Sequence, residues 1–191
     1  MAGVAKKIAP AAVIIIILLI LVFWFVGRNN ALIRMEEQVD AAWSEVDNQL
    51  QRRSDLIPNL VATVQGIADQ EQEVFGAIAD ARARLAGAES VSETAESYEQ
   101  LQGALSRLLV VVENYPQLRS NENFIRLQDE LAGTENRIAV ARRRYNESVQ
   151  EFNTAIRLFP TSIAAGIAGM DEKEYFEISD AAREVPSVEF D

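Results

Sequence analysis

The chain has no cysteine and no histidine among its 191 residues, and only 9 glycines and 5 prolines. Without cysteine there are no disulfides, no thiolate catalysis and no Cys-type zinc sites. Without histidine the commonest general base and metal ligand is missing. Basic residues are the minority, 18 Lys and Arg against 29 Asp and Glu, for a net charge of -11. A nucleic-acid-binding face needs the opposite balance, so nucleic acid is not an expected partner. No segment alternates apolar and polar residues with period two for long, and breakers are few. Both features argue against a sheet. Chemistry built on carboxylates, Ser, Lys or Tyr is what composition leaves open.

The longest feature is apolar. Residues 11–26 read AAVIIIILLILVFWFV without interruption, and extending back to Ile8 across Pro10 gives about 19 residues. At ~1.5 Å per residue this helix is roughly 28 Å long, close to the ~30 Å hydrocarbon core of a bilayer. Ala11, Ile14, Leu18, Leu21 and Val26 are read as anchor residues, and Trp24 sits where an interfacial aromatic belongs. A cleaved signal peptide would have a shorter apolar region followed by small residues. This run ends instead in bulky FWFV, and a lipoprotein signal would need a cysteine. An uncleaved single-pass anchor is the expectation. The first 34 residues carry four basic and no acidic side chains, so the remainder, with -15, must live in water beside the membrane. Lys6 and Lys7 before the span nearly balance Arg28 and Arg34 after it. The count leans only slightly toward an exported domain, and the side of the soluble part stays open.

Beyond the span, apolar residues recur at alternating steps of three and four, the seam of a coiled-coil-like packing. One series runs Val39, Trp43, Val46, Leu50, Arg53, Ile57, Leu60, Val64, Ile67, Glu71, Val74, Ile78, Ala81, Leu85. A second runs Tyr98, Leu101, Leu105, Leu108, Val112, Tyr115. A third runs Phe124, Leu127, Leu131, Thr134, Ile138, Ala141, Tyr145, Ser148, Phe152, Ala155, Phe159. Ser54 or Asp55 can cap a helix restart with Pro58 in its first turn, Ser92 or Thr94 the next helix, and Ser120 or Asn121 the last. The spacing predicts helices near 30–56, 58–86, 93–115 and 121–158. The fold class is all-α: one transmembrane helix plus an antiparallel bundle of long helices with shallow left-handed packing. Residues 1–28 form the tail and anchor, 29–160 the bundle domain, and 161–191 an apolar segment followed by an acidic tail. Whether 30–86 is one rod or two helices, the number of reversals is odd, so Phe159 falls on the membrane side. Phe159, Pro160, Ile163, Ile167 and Met170 lie in a stretch with little charge that packs at the bundle base or touches lipid headgroups, or else covers the bundle seam. Tyr175, Phe176 and Ile178 can dock there, and disorder is expected beyond Ala181.

Arg53 falls on the apolar seam, and a buried guanidinium needs a carboxylate and further acceptors. Asp55 lies beside it, and Glu113, Glu135 and Asn136 lie on other helices that can reach it. Arg142 heads a run of three arginines of which one or two can face inward. Two readings stand: a polar network that fixes helix register, or a socket for a partner. A di-iron bundle needs Glu-x-x-His motifs, and there is no histidine. No EF-hand-like loop or glycine-rich phosphate cradle is present, and Ser106 and Ser148 have no evident base. No catalytic residue, metal, cofactor or small-molecule substrate is expected, and the protein is read as not an enzyme. The run Leu108–Val112 is apolar all round a helix, which calls for a central position or a partner and points to a homo-oligomer.

The segments AWSEVDNQLQRRSDLIPNLVATVQG (42–66) and LSRLLVVVENYPQLRSNENFIRLQDELAGTENRIAVARRRYNESVQEFNTAIRLFP (105–160), followed by AAGIAGM and EYF, resemble the LemA family. With the N-terminal span, the resemblance covers nearly the whole chain. It departs at Met170, where the family often has Phe after Gly. The resemblance implies a membrane-anchored bacterial protein with a helical-bundle domain and no established catalytic activity. Its members are linked to organisation of the envelope or of membranes, magnetosome membranes among them. The functional expectation is a non-enzymatic, single-pass scaffold or adaptor of the bacterial cytoplasmic membrane that self-associates and organises membrane or partner proteins. The alternative is a sensory or regulatory subunit coupled to a membrane protease or signalling enzyme.

Overall fold

The computed structural model describes residues 2–68 and 70–177, with side chains from residue 13 onward. The side chain of Ala11, residue Ile178 and the tail beyond Ala181 lie outside the described residues. The fold is all-α, with six helices among the described residues: α1 (Ala2–Gln65), α2 (Gln72–Ala86), α3 (Val91–Glu113), α4 (Pro116–Arg119), α5 (Glu122–Arg157) and α6 (Thr161–Ala168). The chain divides into two compact units, and α1 and α5 each contribute to both.

The first unit comprises residues 42–146 together with the segment from Glu174. Its core is drawn from all three apolar series, with Ile57, Leu60 and Val64 of α1, Phe75 and Ile78 of α2, Leu101 and Leu108 of α3, and Phe124 and Leu131 of α5. Neighbouring helices run antiparallel. Trp43 stacks near Tyr145 and Arg53 pairs with Glu135, so advancing ten residues on α1 retreats ten on α5. Arg82 Nε donates to Ser54 Oγ at 3.4 Å between α1 and α2, and Arg84 Nη1 donates to Gln100 Oε1 at 2.9 Å between α2 and α3.

The caps are chemically specific. Ser90 Oγ accepts from the Glu93 N–H at 3.1 Å, and the Glu93 carboxylate accepts from the Glu89 N–H at 2.9 Å. This differs from a capping box by one position, since the Glu93 carboxylate reaches the N–H of the residue before the cap rather than that of Ser90 itself. Asn121 Oδ1 accepts from the Phe124 N–H at 3.1 Å and starts α5.

The second unit comprises residues 1–41 and 147–173. Leu32, Val39, Val149, Phe152, Ile156, Ala164 and Ala165 are buried in it. The apolar run of α1 from Val13 to Val26 has Ile14, Leu18, Leu21 and Val26 exposed, while Trp24 is half-buried. By length and composition α1 is able to cross a membrane. After α5 the chain turns at a cis Phe159–Pro160 bond, and α6 ends at Gly169, whose φ of 68° lies in the left-handed region that glycine adopts at no steric cost.

Three expectations require correction. The seam over 30–86, read as one rod or as two helices meeting near Pro58, is neither: α1 is helical through Pro58 and ends at Gln65, and α2 starts at Gln72. Proline deletes one backbone hydrogen bond, but Arg53, Ile57 and Leu60 are buried on both sides of it, and packing overrides that local cost. The cap of α3 is Ser90, not Ser92 or Thr94, so α3 begins at Val91. Beyond Ala141, the buried apolar positions of α5 are Tyr145, Val149, Phe152 and Ile156, whereas Ser148 and Ala155 are only half-buried; Phe159 lies past the end of α5 at Arg157 and is exposed. A straight helix drifts by ~20° per heptad against a 3.5-residue repeat, and over the five heptads from Phe124 that drift amounts to about one residue.

Candidate functional site

The polar cluster forms where three helices meet at Arg53. The sequence places this residue on the α1 seam between Leu50 and Ile57, and its guanidinium is buried. Its Nη1 donates to Glu135 Oε2 of α5 and its Nη2 donates to Gln102 Oε1 of α3 at 2.8 Å. The same Glu135 oxygen accepts from the Tyr98 hydroxyl at 2.5 Å and from Gln102 Nε2 at 2.6 Å. The guanidinium carbon also lies 5.7 Å from the centre of the Tyr98 ring. Arg53 Nε is buried without a hydrogen-bond partner. Burial pushes the Tyr98 phenol well above its usual range; the Arg53 charge opposes this, and the bond to Glu135 reinforces it.

This arrangement is poorly suited to catalysis. The Glu135 oxygen in the cluster already accepts three hydrogen bonds, which leaves it no room to take up a proton from a substrate. A phenol held protonated is no nucleophile. What the geometry does accomplish is to tie α1, α3 and α5 together at one level.

Of the residues read from sequence as its members, Arg53 and Glu135 are brought together. Arg142 is half-buried and close enough for its charge to act on the Tyr98 phenol. Asp55 is exposed and accepts from Gln51 Nε2 at 2.9 Å on its own helix. Glu113 is exposed beside Leu109, Val112 and Phe124. Asn136 is exposed beside Gln49 and Arg144. None of these three joins the Arg53 cluster. Tyr98 and Gln102 were missed. The available signal was their spacing of one turn, which places an amide directly above a hydroxyl on the same helix face.

The segment after α6 is held by side-chain amides. In the first unit, Asn146 pairs in both directions with the Phe176 backbone, at 2.9 and 3.1 Å, and the Tyr145 hydroxyl donates to the Glu174 carbonyl at 2.8 Å. The Phe176 ring is buried, 6.1 Å from Trp43 and 6.4 Å from Tyr98 between ring centres. In the second unit, Asn153 pairs in the same way with the Lys173 backbone, at 2.8 and 2.9 Å. The Lys173 ammonium donates to Glu36 Oε1 at 2.7 Å, and that bond raises its pKa. So residues 173–176 cover helix surface, while Tyr175 is exposed.

Besides the N-terminal run, consecutive large apolar side chains are exposed in two further places among the described residues. On α3, Leu108 and Val112 face the core, but Leu109 and Val110 are exposed, so the apolar run is not central in its unit. At the end of α5 and on α6, Leu158, Phe159, Ile163 and Ile167 are exposed, with Pro160 and Met170 half-buried.

The LemA family model matches residues 42–190. Among curated proteins, the magnetosome protein MamQ of Magnetospirillum gryphiswaldense is 30% identical over 175 residues, which is 78% of this chain and 64% of the relative. MamQ 2 of Paramagnetospirillum magneticum is 29% identical, over 78% of this chain and 65% of the relative. Protein LemA of Metamycoplasma hominis is 25% identical, over 84% of this chain and 74% of the relative. The match therefore spans just under two thirds of the length of the magnetosome relatives.

Proposed function

The chain belongs to the LemA family, and on that basis we propose that it is a non-enzymatic, single-pass scaffold or adaptor of the bacterial cytoplasmic membrane that self-associates. The observation that carries this reading is the continuity of α1. One helix carries an apolar run exposed from Val13 to Phe23 and continues, without a break, as a core element of a water-facing helical unit. An exposed stretch of this length is incompatible with water and matches a bilayer. The similarity to proteins named for the magnetosome, a bacterial compartment, supports a role in membrane organisation. The Arg53 cluster supports structure rather than turnover, since one Glu135 oxygen is taken up by donors from Arg53, Tyr98 and Gln102 on two other helices.

Self-association would use the exposed flank of α3 at Leu109 and Val110, where two large apolar side chains face solvent beside buried neighbours. Mass measurement of the full chain in lipid nanodiscs tests the reading. More than one copy per disc is expected, with a return to one copy in a Val110→Lys variant. A single copy in the unmodified chain would overturn self-association, and release of the chain by carbonate would overturn the anchor.

A further inference from the structure

We infer that α6 is an interfacial membrane element, seated at the lipid headgroup boundary beside the anchor and contributing Phe159, Ile163 and Ile167 to the acyl side of that boundary. The inference rests on the single-pass reading of α1.

Four observations converge. First, the apolar faces match. Phe159 is 80% exposed and Ile167 70%, while Ala164 and Ala165 on the other side of α6 are buried. Ile163 and Ile167 are one helical turn apart and point the same way. A short helix that buries alanines and presents isoleucines to the outside is sided opposite to what water favours.

Second, the location is fixed within one compact unit, 1–41 with 147–173, which holds both α6 and the apolar run. The excursion from Arg157 returns at Lys173, which is clamped to Asn153 and bonded to Glu36. Leu32, one turn of α1 nearer the apolar run, is already buried. From Val26 to Leu32 is about 9 Å along the helix axis, comparable to the roughly 5–7 Å headgroup layer on each side of a bilayer.

Third, the segment carries no ionisable residue between Leu158 and Met170, so it enters the boundary without desolvating a charge.

Fourth, the charges at its ends are arranged to stay in water. Arg157 faces Glu172 at 3.7 Å with both side chains exposed, and Lys173 pairs with Glu36. Residues 157–173 contain two bases and two acids and are neutral as a set. Seating therefore draws on apolar burial and not on attraction to anionic lipid. A second copy of the chain is the competing occupant. The bilayer is favoured because this patch lies in the same unit as a helix that is itself placed in lipid.

The absence of cysteine gives a direct test. Ile167→Cys and, as the water-facing control, Ala132→Cys are labelled with an environment-sensitive fluorophore. Each full chain is reconstituted in phosphatidylcholine vesicles containing a quencher attached near the headgroup end of the acyl chain. The Ile167 label is expected to be quenched several-fold more strongly than the control, to the same degree with and without phosphatidylglycerol, and independently of protein density. Equal quenching at the two positions would overturn the inference. So would protection of the Ile167 label that disappears on dilution to one chain per vesicle, because a second copy would then be the cover. Carbonate extraction of the same vesicles separates the two readings. A released chain overturns the anchor and α6 together, whereas a retained chain with an unquenched label overturns α6 alone.

Discussion

The Arg53–Glu135 pair is asymmetric, and that asymmetry can be measured. The Arg53 side chain is 7% exposed and that of Glu135 is 40% exposed. Glu135→Gln leaves a guanidinium buried, with its Nε already unpartnered and its main countercharge gone. Breaking a buried pair in this way costs about 3–5 kcal/mol, and the remaining bond to Gln102 places the expectation at about 3. Arg53→Met is different. The methionine refills much of the apolar stem, and the abandoned carboxylate keeps its bonds from Tyr98 and Gln102 while turning its exposed part to water. Its cost should be about 1 kcal/mol. At roughly 2–4 °C per kcal/mol for a chain of this size, the midpoint should fall by roughly 6–12 °C in Glu135→Gln and by roughly 2–4 °C in Arg53→Met. Helical ellipticity of the full chain in detergent, followed against temperature, reads both. The double variant should cost less than the two single costs added, because once Arg53 is gone Glu135 has no buried charge to balance. If Arg53→Met proves equal to or worse than Glu135→Gln, the carboxylate is the desolvated partner and the account of this cluster is wrong.

Tyr98 gives an alkaline signature. Its phenol keeps its proton in the folded chain beyond the pH at which the unfolded chain, with a value near 10.0, loses it. Stability is therefore full below pH 10 and falls above it, by about 1.4 kcal/mol per pH unit for this one proton. Subtracting the profile of Tyr98→Phe should isolate that limb, and identical profiles would show that the hydroxyl is not buried against Glu135. Phe176→Ala and Asn146→Leu should each free the segment from Glu174 to Glu177, seen as faster amide exchange there with slower change in α2 and α3. Unchanged exchange would mean that neither the ring nor the amide holds it. Pro58→Ala restores a backbone donor inside α1 and should raise stability by about 1–3 kcal/mol. A lower melting midpoint would show that α1 depends on proline at this position.

Most of the fold was legible because packing follows periodicity. Val46, Leu50, Ile57, Leu60, Leu101, Leu108, Leu131 and Ile138 were read from steps of three and four, and all are buried. The elements misplaced were those for which local chemistry offers several equal answers. Ser90, Ser92 and Thr94 are all competent caps, and only the register of Tyr98 and Leu101 against the core selects the first. Pro58 reads as a boundary because a sequence window cannot register the burial on both sides that holds α1 straight through it. The Arg53 site was half legible. A charge on an apolar seam announces itself, but its partners are selected by which of many acidic residues the fold brings to the same level. Asp55, two residues away, points elsewhere, while Glu135, 82 residues away, makes the contact.

The drift along α5 connects this reading to the membrane. A strict heptad would carry the seam from Tyr145 through Ser148, Phe152 and Ala155 and bury Phe159. The observed steps insert an extra interval of four between Tyr145 and Val149 and bring Val149 and Ile156 inside, while Phe159 lies past the end of α5 at Arg157 and is exposed in the turn. The exchange is favourable for the core, since Val and Ile replace Ser and Ala at the inner positions. Two residues past the end of α5, Phe159 is exposed in the turn into α6. In a domain surrounded by water that ring would cost stability with no return, because a large apolar side chain at a helix end has little to cover it. On the interfacial seating proposed for α6, the same ring has a bilayer to enter, so the turn that ends α5 becomes part of the contact with lipid.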